Sequence, residues 1–346
     1  MTAHERDGAT EAASSPGERP APVRALATLP SRFSAHAGDG TALELRADDT
    51  WAEAGRQALR FHLARTLARA PSVIADEDPE AVHAMRVSAR RMRAAWRVFG
   101  DGFERDAVRG YRDELRDIGA QLGRVRDLDV LLELVEGHGA RRGVRQRAGL
   151  ASLLAAWHAE RDAQGDDLVQ LLGSRRFETF ASDYRTLVET TGHAARSLPP
   201  HAPALVRTRM PARIWAAYQD VWAFDEAVGT ADLATLHELR IAAKWLRYTL
   251  EFVRGPLDPE ATALIRPVIA LQDHLGDQHD QHVASERARA WAARTIMADA
   301  EVRAISKLVT SLDTRVERMG GSLDAAWQPL VAPGYRRRLG RAIARL

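Results

Sequence analysis

Cysteine is absent from the 346 residues, so no disulfide, thiolate nucleophile or thiolate metal site can form. The available chemistry is that of His, carboxylate, Arg and hydroxyl groups. Aromatic residues are scarce at 6%, and no apolar run approaches the roughly 18 residues that would span a membrane. The N-terminus carries Glu5, Arg6 and Asp7 with no apolar segment behind them, which argues against an export signal and makes a cytoplasmic protein the expectation. Lysine is almost missing. Only Lys244 and Lys307 occur among 49 basic residues, the rest being arginine, whose planar fork suits phosphate oxygens. The formal net charge of +2 excludes a generic polycation, so any anion site has to come from local clustering.

What is present is helix-forming sequence. Hydrophobic residues make up 45% and charged residues 28%, with frequent Ala, Leu and Arg and no alternating apolar-polar run, which predicts an all-α protein. Residues 1–44 mix Ala, Pro, Gly, Ser and charge and read as a disordered tail. Thr50 is placed to cap a first helix through Trp51, Ala54, Ala58, Phe61, Leu63 and Leu67, with a break at Pro71. Asp78-Pro79-Glu80 opens a second helix that runs to Phe99 and stops at Gly100 and Gly102. Further helices are expected over 104–121, 126–137, 143–172 and 174–191. A Pro-rich stretch over 197–203 divides the folded part into halves, 45–198 and 199–346.

The second half repeats the first. VHAMRVSARRMRAAWRVF (82–99) aligns without gaps on LHELRIAAKWLRYTLEFV (236–253), and QLGRVRDLDV (121–130) aligns on HLGDQHDQHV (274–283) after a slip of one residue. Internal duplication of helical sequence predicts two helical bundles packed about a pseudo-twofold axis.

His83, Arg86, Arg90, Arg93 and Arg97 are spaced 3, 4, 3 and 4. At about 100° per residue they fall within about 80° of one another, a single line down the helix. Val82, Met85, Ala89, Met92, Trp96 and Phe99 occupy the adjoining arc and can face a core. Stacked arginines repel one another by a few tenths of a kcal/mol per neighbouring pair, and no acid occurs between Val82 and Phe99 to relieve them. The repeat keeps the line as His237, Arg240, Lys244 and Arg247, ending in Glu251. Two readings stand. The line is an anion site, or it is a polar seam whose arginines pair with acids of neighbouring helices such as Asp113, Glu114, Asp117 and Asp127. A histidine on such a line would add charge below its ordinary pKa of about 6.5 and strengthen anion binding in mild acid.

H-x-x-R-x-x-x-R-R-x-R in the first half and H-x-x-R-x-x-x-K-x-x-R-Y in the second resemble the paired signatures of the CHAD family, the conserved histidine α-helical domains, over residues 45–346. The resemblance implies two four-helix bundles around a basic channel, and binding of inorganic polyphosphate. It places His83, Arg86, Arg90, Arg91 and Arg93 in the first motif and His237, Arg240, Lys244, Arg247 and Tyr248 in the second. The LGRVRD and LGDQHD segments resemble the family's LG-x-x-x-D turns, with Asp127 and Asp280 read as caps of the following helices. A triphosphate-tunnel domain, which some members carry, leaves no trace here.

Arg56 with Arg60, Arg209 with Arg213, and Arg337 in the C-terminal run Tyr335–Arg341 are candidates to widen the basic surface. His274, His279 and His282, with Asp277 and Asp280, are a weak candidate metal set that the first half does not reproduce. No P-loop, nucleophile elbow, HExxH or dinucleotide fingerprint occurs, so neither a cofactor nor catalysis is expected. The leading expectation is a polyphosphate-binding module, with association to polyphosphate granules as its cellular setting. A metal-dependent phosphohydrolase built on 274–282 and a helical scaffold recruiting proteins to storage granules are the alternatives. Nucleic acid is the nearest rival polyanion, but the motif helices offer few stacking aromatics beyond Trp96, Trp245 and Tyr248.

Overall fold

The computed structural model describes residues 42–75 and 79–346. The tail expected over 1–44 therefore lies, except for its last three residues, outside the described residues, as does the Asp78 cap. Among the described residues the chain is helical throughout, with no strand beyond two isolated bridges. The first half contains α1 (Trp51–Ala75), α2 (Pro79–Phe99), α3 (Arg105–Arg142), α4 (Val144–Gly149), α5 (Ala151–Leu172) and α6 (Arg175–Glu189). The second contains α7 (Val206–Trp222), α8 (Leu233–Phe252), α9 (Ala261–Ala292), α10 (Asp299–Gly321), α11 (Leu323–Val331) and α12 (Pro333–Ile343). Four long helices in each half thus carry the architecture: α1, α2, α3 and α5, then α7, α8, α9 and α10.

Local chemistry accounts for several boundaries. Thr50 Oγ1 accepts the Glu53 amide at 3.3 Å, the expected cap of α1. Asp232 does the same for α8 through the Thr235 amide, at 2.8 Å. The predicted break at Pro71 does not occur, because α1 continues to Ala75. Proline removes one helical hydrogen bond, and buried Ala70 and Val73 hold the last turn in place against that loss. The expected loop between 121 and 126 is also absent. Leu122-Gly123 and Leu275-Gly276 lie inside the continuous helices α3 and α9, so Asp127 and Asp280 are helix-interior side chains rather than caps. A glycine costs a helix about 1 kcal/mol relative to alanine, too little to break one packed along its whole length.

Packing order repeats between the halves. α1 packs on α2 and α2 on α3, while α7 packs on α8 and α8 on α9. The halves meet through α2 with α8, α3 with α9, and α4 with α10. At the far ends of α3 and α9 they share one apolar core, in which Leu131, Val135, Leu150 and Trp157 meet Ala284, Ala288, Ile305 and Leu308. The Pro-rich connection is stitched to the first half, with Trp51 N–H donating to the Ala204 carbonyl and Arg196 N–H to that of Gly102.

Candidate polyanion site

The predicted apolar arc of α2 is fully committed to the core: Met85, Ala89, Met92 and Phe99 are 0% exposed, with Val82 and Trp96 also buried. This burial fixes the rotation of α2 and turns its arginine line toward α8. Arg97 lies over the Trp245 ring at 4.4 Å, Lys244 approaches the same ring at 4.7 Å, and Arg90 and Arg91 both lie 5.8 Å from the Tyr248 ring. The two lines therefore face each other, with Trp245 and Tyr248 as the surfaces between cations. Trp96 turns inward and donates to the Tyr184 hydroxyl at 2.7 Å.

Lys244 marks the centre. Burial and the charges of Arg240 on its own helix and of Arg90, Arg93 and Arg97 on α2 push its ammonium down to about 8. Arg90 is displaced downward for the same reasons, with burial first and then Arg86, Arg247 and Arg91. The Nε atoms of Arg90 and Arg240 are buried without a hydrogen-bond partner.

The polar-seam reading holds for part of the line only. Arg86 pairs with Asp127 at 2.9 Å, and Glu251 holds both Arg91 at 2.9 Å and Arg247 at 2.8 Å. Asp113, Glu114 and Asp117 are taken by Arg116 and Arg176 instead. Among the described residues no carboxylate is in ion-pair range of Arg90, Arg93, Arg97, Arg240 or Lys244. Five neighbouring cations without a counter-charge are the groove's defining feature.

The two ends of the groove differ. At one, Asp280 of α9 feels Asp127 of α3 together with Arg240 and Arg86, and burial raises its pKa. The paired LG-x-x-x-D segments thus come together across the halves. At the other end, Arg93 and Arg97 open into a cavity of about 560 Å3 lined also by Arg105, Arg112, Arg116 and Arg196. Its one acid, Asp101, is already engaged by Arg209 at 2.5 Å, Arg213 at 2.6 Å and the Trp51 indole at 2.8 Å. Sequence reading missed these four arginines, which come from α3 and the connection and share no periodicity with the motif.

Glycines Gly119 and Gly123 of α3 lie beneath the line, where an added Cβ would meet Arg93 at 3.6 Å and Arg86 Nε at 4.0 Å. The pairing of contacts is reciprocal in the repeat alignment. Arg91 touches Glu251 and Arg97 touches Trp245, and Arg91 aligns with Trp245 as Arg97 does with Glu251. Likewise His83 is repelled by Arg126, while its aligned partner His237 lies 5.0 Å from the ring of His279, the residue aligned with Arg126.

Other expectations need correction. Arg56 does not widen the surface: it is buried, pairs with Glu53 and donates to the Val188 carbonyl of α6, so it is a structural tie, while Arg60 is exposed. Arg209 and Arg213 neutralise Asp101 beside the cavity. Arg337 is exposed on α12, which packs against α9 and α11. The histidine expectation moves to lower pH. Burial first, then Arg126, lowers the His83 pKa, and burial with Arg240, His237 and His282 takes His279 down to about 4. Burial first, and then the neighbouring positive charges, disfavour the charged form of both rings. His274 turns to the Met319 carbonyl at 2.8 Å, away from His279, and no metal-holding cluster of His, Asp or Glu occurs among the described residues.

The model of the CHAD domain matches residues 57–289, about two thirds of the chain. The chain belongs to the CHAD family. Among solved structures it is similar to the CHAD domain from the plant Ricinus communis, at 25% identity over 84% of this chain and 95% of that one, with a TM-score of 0.69. PptA from Streptomyces chartreusis shares the fold at 24% identity, covering 81% of this chain and 99% of its own, with a TM-score of 0.60. No curated protein sequence matches. This CHAD protein has no helix among the described residues long and apolar enough to cross a membrane.

Proposed function

We propose that this protein binds inorganic polyphosphate in the groove between α2 and α8. The observation that carries the reading is the set of five cations without an ion-pair partner among the described residues, Arg90, Arg93, Arg97, Arg240 and Lys244, contributed by both helices and gathered around Lys244, whose ammonium is pushed down by burial and by the other four. Their mutual repulsion and partial burial are a standing cost of the free protein, relieved when a string of phosphates enters. Repeated cations favour a repetitive ligand, so long chains bind more tightly than orthophosphate or ATP. The reciprocal contacts support a pseudo-twofold arrangement in which the two motifs are walls of one site. Arg105, Arg112, Arg116 and Arg196 extend the path beyond Arg97, and Asp127 with Asp280 limits it at the other end. The protein acts here as a binding module, and association with polyphosphate granules follows from that activity. Binding of labelled long-chain polyphosphate to wild type and to Arg90→Glu/Lys244→Glu, at low and moderate salt, tests the reading. Affinity that falls steeply with salt and is lost in the variant supports it, because each neutralised phosphate releases counterions. Salt-independent binding, or full affinity in the variant, would overturn it.

A further inference from the structure

A second basic cavity, of about 1460 Å3, opens between the end of α3, α4 and one face of α10, and shares no lining residue with the groove or with the Arg93 and Arg97 cavity. Arg141, Arg142 and Arg145 stand on one wall. Arg303, Lys307, Arg315 and Arg318 stand on the other, within about 120° of one another around α10. All of α10 lies beyond the part of the chain that matches the family, which ends at residue 289.

Exposed arginines alone mean little, but three observations set these apart. Among the described residues none of the seven cations has an ion-pair partner, although ion pairs are frequent elsewhere on this surface. Glu301, the single acid in the lining, is already occupied, with one oxygen accepting from the Ser152 hydroxyl at 2.5 Å and the other from the Ala298 amide at 2.9 Å. His138 lines the cavity at 5% exposure with its Nε2 unpartnered, a buried polar atom that lacks a hydrogen-bond partner.

The floor is built for this shape. A Cβ on Gly149 would sit 2.5 Å from Ala304 Cβ and 3.0 Å from the Ala300 carbonyl oxygen, so α4 closes on α10 only with glycine there. Gln146 then ties the two helices by donating to the Ala304 carbonyl at 2.7 Å. The result is an open trough with cations on both sides and an orphan imidazole nitrogen. Among the described residues no Phe, Tyr or Trp lines it and the His138 ring is buried, so a nucleobase would find no open stacking surface.

We propose that this trough is a second, separate binding site for condensed inorganic phosphate, held by the cations of its two walls. The ligand assignment rests on the reading of the groove as a polyphosphate site. Two sites on one body let a single long chain be held at two places, which raises its effective concentration at the second site once the first is filled.

The sequence supplies its own reporters, since Lys244 lies in the groove, Lys307 in the trough, and there is no other lysine. In full-length protein carrying 13C-labelled lysine, a short polyphosphate should move both side-chain signals. Arg303→Glu/Arg315→Glu should abolish the Lys307 response and leave that of Lys244. Arg90→Glu should weaken the Lys244 response and leave that of Lys307. A still Lys307 signal while Lys244 moves would overturn the second site and leave the groove standing. A still Lys244 signal while Lys307 moves would overturn the groove and uphold the trough as a phosphate site. Silence from both would overturn both. An RNA oligomer of equal charge that moves Lys307 as far as polyphosphate does would overturn the ligand class.

Discussion

Helices α2 and α8 carry the same motif and use their cations differently. On α2, Arg90, Arg93 and Arg97 have no counter-charge among the described residues, while on α8 only Arg240 and Lys244 are in that state. Much of the difference traces to one aligned position, where α2 has Arg97 and α8 has Glu251, although Arg86 pairs with Asp127 while its aligned partner Arg240 stays unpaired. Glu251 is 13% exposed and grips Arg91 across the interface as well as Arg247 on its own helix. An acid there converts one end of the α8 wall into a clasp between the halves. The number of free cations, rather than the number of cations, is what a wall offers to an anion.

The largest expected effect erases both walls at their centre. Arg90→Glu/Lys244→Glu should weaken long-chain polyphosphate binding on the order of a thousandfold at moderate salt, read by fluorescence anisotropy, since two charge-assisted contacts become repulsions. Arg56 supplies the opposite case, an arginine buried in a structural tie. Arg56→Ala should lower stability by about 2 kcal/mol in thermal or urea unfolding and leave polyphosphate affinity unchanged. Equal losses of affinity from Arg56 and Arg90 would erase the distinction between tied and free cations.

Opening the clasp should sharpen the comparison. Glu251→Gln releases Arg91 and Arg247 to the groove, and affinity should rise roughly threefold to tenfold while the melting temperature falls. Affinity that drops instead would make Glu251 part of the site's framework. A smaller effect follows from Lys244. Its free-state pKa is pushed down to about 8, and a bound polyanion raises it, so binding takes up protons as pH climbs through that value. Affinity should therefore decline above pH 8 in the wild type, and Lys244→Arg should flatten the profile. The smallest change is expected from His83→Ala, about twofold or less at neutral pH, because burial and Arg126 disfavour the charged form of that ring.

The periodic features were legible from sequence. The basic line, its apolar neighbour arc, the Thr50 cap and the Pro-rich connection all follow from local spacing, and each is where that spacing puts it. Gly123 and Gly276 misled because a glycine's cost is local while the burial that sustains α3 and α9 is not. Arg56 misled for a related reason. Its i, i+4 relation to Arg60 is visible in the sequence, whereas the Val188 carbonyl that accepts its hydrogen bond lies 132 residues away. The cavity arginines Arg105, Arg112, Arg116 and Arg196 come from separate segments, and only the folded arrangement of α3 and the connection gathers them. The histidines stood out because they open each motif, yet the burial that lowers the His83 pKa depends on the packing around it and not on its spacing along the helix.

That the two motifs are walls of one site is tested most directly at Lys244. With only two lysines in the chain, its 13C-labelled side chain can be titrated by NMR in wild type and in Arg90→Gln, a change made on the other helix. The account predicts a pKa near 8 that rises both on adding polyphosphate and on removing the Arg90 charge. An ordinary lysine pKa of about 10.4, indifferent to Arg90→Gln and to polyphosphate, would contradict it.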